Sequence, residues 1–285
     1  MSTSLSETMI GYVSLGRDCA FGMVQRYCWV EPLDLLRFSS SPLPGLLRQL
    51  DSGFDAFKTI AASDVRLDRS GAEYRVWVGS TGISLHTGQS VAQYSSDDVL
   101  RQESRRIPRL ARKLLAELEA AERVVVYCRE VMLDADIVAL HTALRRHGSV
   151  RLLAVAPAPA PDLVGCVLQH GDGTLLGYID RVCLTEWARY PSFDVWLAIV
   201  RLSDRVFGGP VLPVGTIVRP EPEDFDIPAE VEAPLLWRAL AALRQGETVL
   251  GARLFAEHRR AFPNPGDLGC EFDSVFTSAA PPGGI

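Results

Sequence analysis

Histidine is scarce in this chain, and the motifs that announce cofactor chemistry are missing. Five histidines stand in 285 residues, so any imidazole-based mechanism has few residues to draw on. There is no G-x-G-x-x-G after a strand, no phosphate-binding G-x-x-x-x-G-K-[ST], no H-E-x-x-H and no G-x-S-x-G, which takes weight from a nucleotide- or metal-dependent enzyme. Cys19, Cys28, Cys128, Cys166, Cys183 and Cys270 form no Cys-x-x-Cys pair and none lies beside a histidine at metal-ligand spacing; a zinc site is unsupported. No apolar run approaches the roughly 20 residues of a membrane helix. The first eight residues, Met-Ser-Thr-Ser-Leu-Ser-Glu-Thr, lack a basic region and an apolar region, so they do not read as a secretory signal, and a cytoplasmic protein is the simplest reading. A net charge of -6 argues against bulk affinity for nucleic acid or anionic lipid. These absences give an expectation of no cofactor, no metal, no nucleic acid and no membrane, with a small molecule or peptide as substrate.

What is present is core material. At 47% hydrophobic the chain can bury a sizeable interior as one α/β domain or two small ones. Gly11 to Gly16 reads as a short buried strand ending in a glycine turn, and Arg17 to Tyr27 as a helix with Phe21, Val24 and Tyr27 at helical spacing. Leu33, Leu35, Leu36 and Phe38 form an apolar knot before a short helix over Leu43–Leu50. Tyr74–Val78 and Ile83–His86 alternate about a Gly79–Gly82 turn, a hairpin that puts His86 with Ser84, opposite Ile83 and Leu85. A long helix runs from Ser95 or Ser96 to about Ala121, with Pro108 expected to kink or divide it. Its arginines, Arg105, Arg106, Arg109 and Arg112, suit a solvated face better than a nucleic-acid surface.

The clearest fold signal is strand 123–128, helix 135–147 and strand 150–155, a βαβ unit and hence a parallel sheet. Val164–Gln169 and Thr174–Leu184 suggest another hairpin, and Tyr190–Val206 a helix. Beyond Gly208 the chain turns proline-rich, with two helices near 233–244 and 248–261. The expected fold is α/β, three-layered, with a mainly parallel central sheet, extra hairpins and a C-terminal helical extension. The expected division is 1–207, 208–262 and a loosely held tail 263–285.

Cys19 is the best candidate for a reactive residue. It follows a strand and a glycine turn, where the first turn of a helix favours a thiolate. In an open α/β sheet that is also where ligands bind, and backbone N–H groups there can form an oxyanion hole. From position alone, a buried structural thiol is the commoner use of such a residue. Among the histidines, His86, at a strand end on a polar face, is the best base. For a third, orienting group Asp34 is plausible, a lone carboxylate inside an apolar knot that needs a partner.

The block Ser14-Leu-Gly-Arg-Asp-Cys19, then Arg26, then Pro32-Leu-Asp-Leu-Leu36, resembles the start of the DUF1796 family, described as papain-like cysteine peptidases. That family opens with Ser-Leu-Gly-x-x-Cys, then an arginine and a Pro-Phe-Asp-Trp-Leu block. Here Leu33 and Leu35 replace its aromatics. Its later histidine, arginine-bearing helix and strand ending in arginine would correspond to His86, the helix around Arg105 and Arg106, and Val124–Arg129. The resemblance spans about the first 185 residues and implies Cys19 as nucleophile and His86 as base, with Asp34 a weaker carry-over. The local pattern calls for a three-layer arrangement closer to the SGNH esterases than to papain.

Two functions follow as expectations. The first is a cysteine hydrolase or acyltransferase acting on an amide, ester or thioester, with the oxyanion held around Arg17, Asp18 and Ala20. The second is a non-catalytic binding module whose cleft near Arg17, Arg26 and Arg37 takes an anionic ligand.

Overall fold

The computed structural model describes residues 4–17, 19–181, 192–229, 231 and 235–261. Ten strands and eight α-helices are described. In chain order they are α1 (Leu5–Ile10), β1 (Tyr12–Ser14), α2 (Ala20–Tyr27), β2 (Ser39–Ser40), α3 (Leu43–Asp51), β3 (Val65–Leu67), β4 (Glu73–Trp77), β5 (Ser84–Ser90) and α4 (Ser96–Ala120). Then come β6 (Val124–Cys128), α5 (Asp134–Arg145), β7 (Arg151–Pro157), β8 (Val167–Gly171), β9 (Thr174–Ile179), α6 (Phe193–Gly208), β10 (Ile217–Val218), α7 (Leu235–Arg244) and α8 (Thr248–Ala261).

The central sheet has the order β1-β6-β7-β9-β8-β10. Its first four strands are parallel, while β8 and β10 run antiparallel to their neighbours. A strand covered on both faces reads as an unbroken apolar run, and all five residues of β6 are buried. On one face the core joins Val125, Tyr127 and Leu152 to Leu46 of α3, Leu110 and Leu114 of α4 and Leu140 of α5. On the other it joins Val124, Val126 and Leu153 to Phe21 and Val24 of α2, Trp196 of α6 and Trp237 of α7. These are the three layers of an α/β fold.

A second, antiparallel sheet, β2-β5-β4-β3, lies on the first of these faces, sending Val76 and Leu85 into the same core. The predicted hairpins are β4–β5 and β8–β9. Of the C-terminal helices, α7 packs on the central sheet's other side, where Trp237 stacks on Phe193 with centroids 5.1 Å apart and Arg244 bridges Asp180 at 2.8 Å and Asp194 at 2.6 Å. Phe255 of α8 packs on α7.

Several expectations change. α4 runs unbroken through Pro108. A proline inside a helix costs about 3 kcal/mol, and the buried stripe Val99, Ile107, Leu110, Leu114 and Leu118 holds it. The Ser95 hydroxyl accepts from Asp98 N–H at 3.2 Å, a capping box at the start. Leu33 is not in the apolar knot but 73% exposed. The helix expected from Tyr190 begins at Phe193, and 190 and 191 lie outside the described residues, as do the end of the second hairpin, Cys183, Cys270 and the tail from 262. Among the described residues no helix is long and apolar enough to cross a membrane.

Candidate functional site

Chain geometry brings the Cys19 turn to the carboxyl ends of the strands. After β1 the backbone enters the left-handed region at Gly16 (φ 78°) and again at Arg17 (φ 82°). Glycine is required at the first of these because an added Cβ would stand 2.0 Å from Ser39 Oγ and 2.9 Å from the Leu36 carbonyl. Arg17 Nη2 reaches Glu130 Oε2, just past β6, at 3.2 Å, which pins the turn beside the neighbouring strand end. Cys19 is the N-cap of α2 and half-buried, and Ala20 is the helix's buried first residue. Asp18 lies outside the described residues.

The remaining thiols differ in environment. Burial pushes Cys28 up to about 12, and burial also raises Cys166. Cys128 is buried in β6.

His86 sits on β5 opposite Arg75. Its Nδ1 is 2.9 Å from Glu73 Oε2 and its Nε2 is 2.6 Å from Arg75 Nη2. An arginine can only donate, so Nε2 accepts and the proton sits on Nδ1, donated to Glu73. Burial opposes ionisation of Glu73, but the bonds from His86 and the Gly88 N–H outweigh it and hold the carboxyl below the ordinary range. The β4–β5 register slips between Glu73 and Arg75, and the Gly88 N–H at that irregularity donates to Glu73 Oε1 at 2.8 Å.

Strand alternation decides which way this group faces. Leu85 and Val76 enter the core; His86, Arg75, Ser84 and Trp77 share the opposite face, where the register continues to Ser40 and Phe38 of the β2 strand and its lead-in. Phe38 meets α2, its Cε1 standing 2.8 Å from where a Cβ on Gly22 would be. Gly22 is one helical turn after Cys19, so Phe38 links the edge of the His86-bearing face to the Cys19 helix, whose own apolar side, Phe21 and Val24, packs on the central sheet. On the His86-bearing face Ser84 Oγ and Arg75 Nε are buried with no hydrogen-bond partner among the described residues. Neither ring nitrogen of His86 bonds Cys19, since both are taken by Glu73 and Arg75.

Asp34 is elsewhere. Its fully buried carboxylate takes a two-pronged bond from Arg123, at 3.0 and 2.9 Å, and one from Lys113 at 3.1 Å. Glu117 closes the network at 2.9 Å from Arg123 and 2.7 Å from Lys113. Asp34 therefore ties α4 and β6 to the loop after α2 and does not orient His86; Glu73 stands in that position. Sequence reasoning missed Arg75, which the hairpin's alternation already put on the face of His86, and Glu73, which lies just before the Tyr74–Val78 strand.

The expected arginine cleft is largely self-satisfied. Arg37 is buried, donating to the carbonyls of Gly22 at 2.8 Å and Val30 at 3.0 Å and to Glu31. Arg26 Nε donates to Glu31 Oε1 at 2.6 Å. Both guanidiniums stack on the Phe38 ring, 4.8 Å (Arg26) and 4.7 Å (Arg37) from its centroid. Arg37 is thus a clamp between α2 and the loop that follows it, not a ligand for a bound anion.

Among the described residues no group of three or more His, Cys, Asp or Glu is placed to hold a metal ion. Comparison with family models, curated proteins and solved structures finds no match to this chain.

Proposed function

We propose that this chain is a cysteine hydrolase or acyltransferase acting on an amide, ester or thioester, with Cys19 as nucleophile, His86 as general base and Glu73 orienting the imidazole. The observation that carries the reading is the Glu73–His86 pair, an imidazole oriented by a carboxylate, together with a half-buried Cys19 at the N-cap of α2. A carboxylate bonded to Nδ1–H leaves Nε2 as the basic nitrogen, the tautomer a nucleophile's base requires. The resemblance of the Ser14–Cys19 block supports the same assignment.

The Cys19 thiol gives its proton to Nε2, the sulfur bonds the carbonyl carbon, and the positive end of α2 stabilises the thiolate and then the oxyanion. The C–X bond breaks as His86 returns the proton to the leaving group. Water, or an acceptor nucleophile, then cleaves the thioester and regenerates the thiol. Arg75 must release Nε2 first, so a substrate oxygen has to take over that guanidinium.

One observation favours a second reading, an anion-binding module without catalysis: Arg75 donates to Nε2 at 2.6 Å, occupying the lone pair a base would use. The full chain is incubated with an activated acyl thioester, ester and amide, quenched, and mapped by mass spectrometry. The expected result is an acyl adduct on Cys19 and none in Cys19→Ala; no adduct with any acyl donor leaves the binding module as the reading.

A further inference from the structure

The outer ridge of α4 carries a groove separate from the Cys19 turn and independent of the proposed chemistry. Arg101, Arg105, Arg109 and Lys113 recur at every fourth position and so form one row. Together with Gln102, Arg106, Leu110 and the exposed Leu33 they line a half-open groove of about 580 Å³, within the size range of small-molecule sites.

Three of these cations have partners. Arg101 reaches Asp98 at 3.2 Å, Arg106 the buried Glu103 at 2.8 Å, and Lys113 Asp34 at 3.1 Å. Arg105 and Arg109, both exposed, have no ion-pair or hydrogen-bond partner among the described residues. Like charges one turn apart destabilise a helix, so the row stands there at a cost in a chain of net charge -6. The floor beneath the guanidiniums is hydrocarbon: Leu110, Leu33 and the arginine stems. A leucine 73% exposed at the edge of that floor extends it toward solvent.

Cationic rim and apolar floor together select a ligand with both characters. We propose that the groove binds a single-chain anionic amphiphile, its carboxylate or phosphate head between Arg105 and Arg109 and its alkyl chain along Leu110 and Leu33. A nucleic acid is the poorer match, because no aromatic ring lines the groove for a base to stack on.

The full chain is titrated calorimetrically, below micelle formation, with decanoate, decyl phosphate, a neutral decyl glycoside and inorganic phosphate. Saturable binding of decanoate or decyl phosphate is expected, with the two arms distinguishing the head group. The neutral glycoside and free phosphate are expected to bind at least about tenfold more weakly. Arg105→Gln with Arg109→Gln, at exposed positions without partners, should weaken binding about tenfold, and Leu33→Ser should weaken it with the head contacts intact. Melting curves of the variants confirm that they fold. Equal binding by the double variant, or free phosphate binding as well as decyl phosphate, overturns the proposal. So does attachment to anionic phospholipid vesicles with no binding of either monomeric amphiphile.

Discussion

Glu73 Oε2 stands 2.9 Å from Nδ1 of His86, on the strand beside it. That contact fixes the imidazole tautomer and turns an otherwise ordinary strand-end histidine into an oriented one. Removing the ring should cost more than removing its orienter. His86→Asn is expected to slow acyl transfer from a thioester by about 10²–10⁴-fold, and Glu73→Gln by less. Arg75→Ala separates the two functional readings: it frees Nε2 and should raise acylation of Cys19, whereas in an anion-binding module it would abolish ligand binding and leave Cys19 unacylated.

Asp34 should behave as a structural residue. Breaking a buried ion pair from one side costs about 3–5 kcal/mol because the partner charge is stranded; here Arg123 would lose its two-pronged acceptor. Asp34→Ala is expected to lower stability by that amount in urea unfolding. The alkylation rate of Cys19, measured under folded conditions, should not change. A large drop in that rate in a folded Asp34 variant would return the carboxylate to the site.

The turn before Cys19 is testable through its backbone. A non-glycine residue in the left-handed region costs roughly 1–2 kcal/mol, and Arg17 is one (φ 82°). Arg17→Gly should stabilise the fold by about 1 kcal/mol, less whatever the half-exposed Glu130 pair contributes. Gly16→Ala should do the opposite and more strongly, because its Cβ would overlap Ser39 Oγ. Chemical denaturation of both variants reads the signs.

Acid sensitivity should have a traceable share at Asp224. Burial opposes its ionisation, but the Arg205 fork at 2.7 Å and the Glu221 N–H outweigh that and hold its carboxyl below the ordinary value. A depressed folded value stabilises above the unfolded value near 3.8 and is lost as pH falls through the folded one. Asp224→Asn should therefore be less stable than the parent at neutral pH, with the gap closing in acid below that range. A gap that stays constant with pH would place the effect in packing instead.

Much of the fold was legible in the sequence because it rests on local pattern. The continuous apolar runs of β6 and β7 around α5 dictate a parallel unit, and the 79–82 turn dictates the β4–β5 hairpin. α4 resisted because a proline's local cost was outweighed by tertiary burial of the stripe from Val99 to Leu118, which no local rule weighs. The site was legible in part. Cys19 at a strand–turn–helix junction follows from spacing, and so does the face of His86. Asp34's partners lie on α4 and at the start of β6, 79 and 89 residues away, beyond the reach of any pattern. Glu73 lies just before the alternating Tyr74–Val78 run, so its bond to His86 was not marked by the pattern.

The central claim is that Cys19 is the reactive thiol, and alkylation of the full folded chain by iodoacetamide at neutral pH, followed by peptide mapping, tests it most directly. Cys28, pushed up to about 12 by burial, would be thiolate in roughly one molecule in 100,000 at neutral pH. Cys19 is expected to be labelled well ahead of Cys28 and of the other four cysteines. Labelling of Cys19 no faster than the rest would contradict the assignment and remove the nucleophile from the proposed function.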